Sequence, residues 1–285
     1  MDHPVFIAGA GRSGTTLAVD MIGLHEELSP LYETEFVTRI AMMIFGQKLP
    51  FEELRVHVRK LMDQWTVSLP HRPHNKREHE RYHHGPHHVL FTRELALRRT
   101  DRFLAELASG VAPIRALAAL CDALFADHAR RDSKRIVVNK TPSYVHILPV
   151  LDAMYPASKV VHCVRDGRDV ACSVLSRPWG PRTVGEAAQW WAQKAGEAVA
   201  WGRAHPDRYL EVRYEDLLRA PQDELARVLE FLGVEAQATD MLARYGREIR
   251  LDTGRSGRWK TLPGQDLAAF HARAGGLLEH FGYAA

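Results

Sequence analysis

Cysteine is scarce: the 285-residue chain holds three, Cys121, Cys163 and Cys172, at neither paired nor metal-type spacing. So few thiols exclude a disulfide-stapled scaffold and suit reduced side chains in a cytoplasm. Long apolar runs are missing too. Nothing approaches the ~18 consecutive apolar residues of a membrane span. Asp2 and the short apolar run from Val5 to Ala8 stand where a secretory signal carries its basic region and longer apolar core. Charge of one sign is also lacking, since 38 Lys+Arg against 35 Asp+Glu leave a formal +3. That balance argues for an anionic small ligand and against an extended nucleic-acid track. No internal repeat or low-complexity linker divides the chain, so one domain over residues 1–285 is expected.

A further absence is local. "VFIAGAGRSGTT" (5–16) has the outline of a phosphate-binding loop, Gly9-x-x-x-x-Gly14, but Thr15 occupies the position where a nucleotide hydrolase needs lysine. The nearest cation is Arg12, inside the loop. A strand entering a Gly-rich turn and then a helix aims backbone N–H groups at one point, at the positive end of the helix dipole. Ser13, Thr15 and Thr16 can add hydroxyl donors, and Arg12 can cradle an oxyanion without a metal.

What is present elsewhere is alternation. Apolar strands are expected at 4–10, 135–140, 159–166 and 208–217, each followed by a helical pattern, with "LSPLYE" (28–33) as a short extra strand beside the first. The fold class that follows is α/β: a P-loop-type central parallel sheet with helices on both faces. From about 35 to 130 the patterns are helical, and this stretch is expected as an insertion capping the ligand edge of the sheet. Trp190, Trp191 and Trp201 read as packing anchors. The run of His71, His74, His79, His83, His84, His87 and His88 matches no standard metal spacing and is expected as an acceptor-side loop.

"GAGRSGTTL" resembles the 5′-phosphosulfate loop of sulfotransferases that use 3′-phosphoadenosine 5′-phosphosulfate (PAPS). Other stretches agree with that family in the expected order. "VRDGRDVACS" (164–173) is similar to its 3′-phosphate segment, which implies that Arg165 and Ser173 grip the 3′-phosphate. "RYEDLLRAP" (213–221) resembles its Tyr-Glu-Asp-Leu motif, which implies that Tyr214 lies near the adenine. "GRSGRWKTLP" (254–263) looks like the late basic loop of bacterial members. There Arg258 is the first candidate for the phosphate, with Arg255 and Lys260 as alternatives, and Trp259 could stack on the adenine.

The resemblance implies sulfuryl transfer from PAPS by in-line displacement, leaving 3′-phosphoadenosine 5′-phosphate (PAP) and needing no metal. Arg12 would serve the leaving group. Lys140, in "NKTP", matches a lysine of the tyrosylprotein-sulfotransferase-like branch, and Glu33 matches the general base of that branch. Glu35 stands where the branch has an arginine that holds acidic peptides, although Arg39 matches a second basic position. The expected acceptor is therefore a small hydroxylated metabolite, sugar or lipid, in a bacterial cytoplasmic enzyme whose oligomeric state is open. Glu35 and a histidine of 71–88 remain alternative bases. A P-loop kinase using ATP and a catalytically inactive nucleotide-binding protein remain alternative functions.

Overall fold

The computed structural model describes residues 3–66, 90–248 and 256–283. Five parallel strands form one sheet in the order β2-β3-β1-β4-β5. They are β1 (Val5–Ala8), β2 (Leu28–Tyr32), β3 (Ile136–Lys140), β4 (Val160–Val164) and β5 (Tyr209–Arg213). The register pairs Ile7 with Lys140 on one side of β1 and with Val161 on the other. β1 therefore lies at the centre, and the Gly-rich loop leaves the middle of the sheet's carboxyl edge.

Successive residues of β1 face opposite layers, as a period of two demands. Phe6 and Ala8 enter a core with Leu31, Val137 and Val160. Val5 and Ile7 enter the opposite core with Leu28, Val138, Val161 and Val212. The second layer is closed by α1 (Thr15–Ile22) through Ala18, Val19, Met21 and Ile22. The first is closed by helices of the 35–130 region: α2 (Glu35–Ala41), α3 (Phe51–Thr66), α4 (Arg93–Ala108) and α5 (Pro113–Arg131). No strand occurs among the described residues of that region. Its helices do more than cap an edge, because Phe36, Phe103, Leu117 and Phe125 share a core with the sheet itself.

β3 runs into a 3-10 turn (Pro142–Ile147) and α6 (Leu148–Met154), so the helix expected from Ser143 is 3-10 in its first turns. β4 is followed by α7 (Gly167–Val174) and α8 (Val184–Ala204). β5 is followed by α9 (Tyr214–Arg219), α10 (Pro221–Leu232) and α11 (Ala238–Glu248), and the chain closes with α12 (Gly264–His280). Trp191 is buried among α7, α8 and α12 residues, and Trp201 is buried in the core that holds Phe6 and Val160.

Two expectations need correction. The strand at 28–33 does not lie beside the first; β2 pairs with β3 at the edge of the sheet. Pro30 explains the edge position, since it has no N–H to give to a further neighbour. The strand expected over 208–217 ends at Arg213, where Tyr214 opens α9. No described helix is long and apolar enough to cross a membrane.

Candidate active site

All five strands deliver a candidate residue at the same edge. β1 gives the loop from Gly9 to Thr16, β2 gives Glu33, and β3 ends on Lys140. β4 is followed by Arg165, and β5 by Tyr214. Parallel pairing forces this convergence, because every carboxyl end then lies on one side.

Loop shape is set by close packing. A Cβ at Gly9 would lie 2.4 Å from the Cys163 carbonyl oxygen, and one at Gly14 would lie 2.4 Å from Cδ2 of Tyr214. Gly14 also has φ 84°, which favours glycine, and it caps α1 without any side-chain bond. The first turn of α1 carries no acidic residue, so its amide end stays positive. Ser13 is 1% exposed, and its hydroxyl has no hydrogen-bond partner among the described residues. Thr15 is buried beside it, and Thr16 is half-buried in the first helical turn.

Arg12 joins the loop to the segment after β4. Its backbone is left-handed, φ 74°, and its Nε donates to Ser173 Oγ at 3.0 Å. Arg165, buried, donates from Nη1 to the Arg12 carbonyl at 3.3 Å, and its guanidinium carbon lies 4.8 Å from the Tyr214 ring centroid. Residues 12, 165, 173 and 214 thus form one cluster. The Arg165–Asp169 approach, 3.9 Å, is buried rather than a surface pair.

Asp169 ties in the late basic loop. Its carboxylate accepts from Gly257 N at 2.7 Å and from Trp259 N at 3.0 Å. Trp259 lies against Arg168, whose guanidinium carbon is 3.6 Å from the indole centroid. Arg168 is itself fixed by Asp166, which accepts from Nε at 3.0 Å and Nη2 at 2.9 Å. Arg258 and Lys260 are exposed on the same turn, and the charge of Arg258 reaches Cys172, next to Ser173. Arg255 and the histidine run at 71–88 lie outside the described residues.

On the other flank of the loop, Lys140 is fully buried and its ammonium donates to Glu33 Oε1. Glu33 keeps 46% of its side chain exposed, so this pair has one face toward solvent. Its backbone is left-handed, φ 50°, and its amide donates to the Lys140 carbonyl at 2.7 Å. Thr34, next in sequence, donates to Asn139 Oδ1 at 3.0 Å and meets Tyr144 Oη at 2.5 Å. Asn139 Nδ2 also donates to Tyr144 Oη at 3.0 Å. This buried polar knot fastens the β2 turn to β3 and so sets Glu33 beside Lys140.

Glu35 is a different kind of carboxylate. Burial raises its pKa; the Ser143 hydroxyl, which donates to it at 2.5 Å, opposes that, as does Arg39. Lys194 on α8 lies within its field, and burial lowers the pKa of that amine against the pull of Glu197 and Glu35.

A model of the sulfotransferase family matches residues 4–238. The chain belongs to the sulfotransferase family. The sulfotransferase domain of the olefin synthase of Synechococcus PCC 7002 has the same fold, with a TM-score of 0.62 at 21% identity over 100% of this chain and 98% of that one. Sulfotransferase STF9 of Mycobacterium avium superposes with a TM-score of 0.55 at 16% identity, covering 99% and 77%. An uncharacterized protein of Aquifex aeolicus is 23% identical over 237 residues, 80% of this chain but 25% of its own length. A putative protein-tyrosine sulfotransferase of Caenorhabditis briggsae is 29% identical over 102 residues, 34% of this chain and 36% of that protein. The chain spans well under half the length of these two curated relatives.

Sequence reasoning in this sulfotransferase-family chain assigned no site role to Asp169, Arg168, Asn139 and Trp179, weighing Asp169 only as a surface partner of Arg165. Asp169 and Arg168 were visible only as part of "RDGRD". Asn139 had a signal, a lone amide inside the apolar strand "IVVNK", where a polar group must find partners.

Proposed function

We propose that the protein transfers the sulfuryl group of PAPS to a hydroxyl of a small acceptor, with Glu33 as the base, and that residues 35–130 shape the acceptor side. The observation that carries this reading is the joining of the two nucleotide segments. Arg12 of the loop and Ser173 of the β4–α7 segment are 161 positions apart, yet share a hydrogen bond.

The donor set fits PAPS. Arg12, Arg165 and the amide end of α1 converge beside the Ser13 hydroxyl, which has no partner among the described residues, and two phosphoryl positions with a sulfonate call for several cations. PAPS, when bound, supplies the sulfuryl group and a stable phosphate as leaving group. The chain's own residues do the rest. Arg12 and the first amides of α1 hold the anionic 5′ end by charge-assisted hydrogen bonds. Arg165 and Ser173 hold the 3′-phosphate, with Arg258 arriving on the turn fastened by Asp169. Tyr214 and Trp259 offer ring faces for the adenine. Glu33 takes the proton of the acceptor hydroxyl, and Lys140 holds that carboxylate in place. No step calls on a lysine at position 15.

Differential thermal shift tests the reading. PAP without metal is expected to raise the melting temperature, and Arg165→Ala to abolish that rise. Stabilisation by ATP with Mg²⁺ but not by PAP would sink the proposal in favour of a kinase.

A further inference from the structure

Alternate residues of the edge strand β5, Tyr209, Glu211 and Arg213, share one face of the sheet, as a period of two demands. They line a cavity of about 510 Å³, a size usual for a small-molecule site. Arg203 near the end of α8, Arg227 of α10 and Phe281 behind α12 supply other walls. None of the residues placed at the nucleotide site lines it.

Three arginines thus reach the cavity from three elements. Its two acids are already engaged. Glu211 accepts from the Tyr209 hydroxyl at 3.1 Å and meets His280 Nε2 at 3.2 Å. Asp216 accepts from Arg219 Nη2 at 2.6 Å. Arg227 is engaged as well, giving Nη2 to the Glu211 carbonyl and to Glu224, each at 2.7 Å. Two cationic donors are left over. Arg203 is exposed and has no hydrogen bond or ion pair among the described residues. Arg213 Nε is buried with no hydrogen-bond partner among the described residues, because Asp216 Oδ2 stops 3.8 Å away.

Stacking holds the Arg213 guanidinium in place. Its carbon lies 4.4 Å from the Tyr283 ring centroid, and the Tyr283 hydroxyl is fastened to Glu215 at 2.7 Å. A buried donor with nothing to bond is costly, and an anion in the cavity would satisfy it. Guanidinium groups suit a phosphoryl group, and two uncommitted cations match the nearly two charges of a phosphate monoester. Val199 and the Phe281 ring offer apolar surface for the rest of such a molecule.

We propose that this cavity is a second anion site, which binds a small phosphate monoester with its phosphoryl group between Arg203 and Arg213. The site is separate from the nucleotide site and does not rest on the sulfuryl-transfer reading.

Calorimetric titration with phenyl phosphate, at saturating PAP, tests it. One molecule is expected to bind per chain, with phenyl sulfate, inorganic phosphate and phenol each clearly weaker. Arg203→Ala should weaken phenyl phosphate on the order of tenfold, the loss of one charge-assisted contact, and Arg203→Lys should keep most of the affinity. Arg203 has no partner to lose, so neither change disturbs the fold, and PAP affinity should be equal in all three proteins. Absence of binding, or binding that Arg203→Ala leaves unchanged, overturns the proposal. So does phenyl sulfate, inorganic phosphate or phenol binding as tightly as phenyl phosphate. Loss of the phenyl phosphate signal when PAP is added also overturns it, since the ester would then occupy the nucleotide site. Failure of PAP to bind the wild type would instead overturn the sulfuryl-transfer reading, while the Arg203 series repeated without PAP still judges the cavity.

Discussion

Arg12 and Glu33 both hold left-handed backbones, a conformation that costs an L-residue on the order of 1 kcal/mol or more. Neither is a glycine, so each position keeps its side chain despite that cost. At Glu33 the surroundings enforce the geometry: its amide is tied to the Lys140 carbonyl, and Thr34 is locked into the Asn139–Tyr144 knot. Lys140 has no exposure of its own, and a buried ammonium deprived of its carboxylate would cost roughly 3–5 kcal/mol. Glu33→Gln keeps an acceptor for Lys140 while removing the basic oxygen. Its turnover is expected to fall by roughly 10²–10⁴, with PAP affinity by calorimetry unchanged. Normal PAP binding with full turnover would remove Glu33 from the role of base.

Among the elements, the turn at Arg258–Thr261 depends on one acid. Asp169 receives the amide of Gly257, just before the turn, and that of Trp259 within it, and faces Arg165 from α7. Asp169→Ala should therefore free the turn and loosen Arg165 together, weakening PAP on the order of tenfold. Amide exchange over 256–261 should quicken in the same variant; exchange at the wild-type rate would contradict the clamp. The elements also mark how far the sequence could be read. Four strand segments and the loop were legible, because apolar runs alternating with helices have few alternatives. The neighbour of β2 was not legible, since a five-residue strand encodes its two faces but not its place in the sheet. Arg12 was legible as a candidate from the loop itself, and Arg165, Ser173 and Tyr214 through a resemblance in motif order. Asp169 was hidden because its partners are backbone amides 88 and 90 positions away, which no side-chain pattern announces. Trp190 was read with Trp191 as packing. Helical geometry separates them by about 100°, which sends one into the core and the other toward the loop.

For the molecule as a whole, layers on both faces of the sheet leave little water near β4, and His162 shows the effect. It is buried beside Tyr209, whose hydroxyl meets its Nδ1 at 2.6 Å, and burial lowers its pKa to about 3. An exposed histidine in the unfolded chain titrates near 6.5. Between those two values the unfolded state binds a proton that the folded state refuses, so stability falls as pH drops through that window. The expected slope from this group alone is about 1.4 kcal/mol per pH unit. Urea unfolding at a series of pH values from 7 to 4 measures it. His162→Gln should start less stable at pH 7 and lose less on acidification; parallel curves would show that other groups carry the acid sensitivity.

The three thiols, all free, are unequally placed: Cys121 and Cys163 are buried, while Cys172 is partly open and adjoins Ser173. Its pKa is raised by burial and by Asp169, so it reacts slowly at neutral pH and faster in mild alkali. The native chain thereby carries a single alkylation handle beside the expected 3′-phosphate position. Occupancy of that end of the site becomes a mass-spectrometric footprint, with no engineered label required.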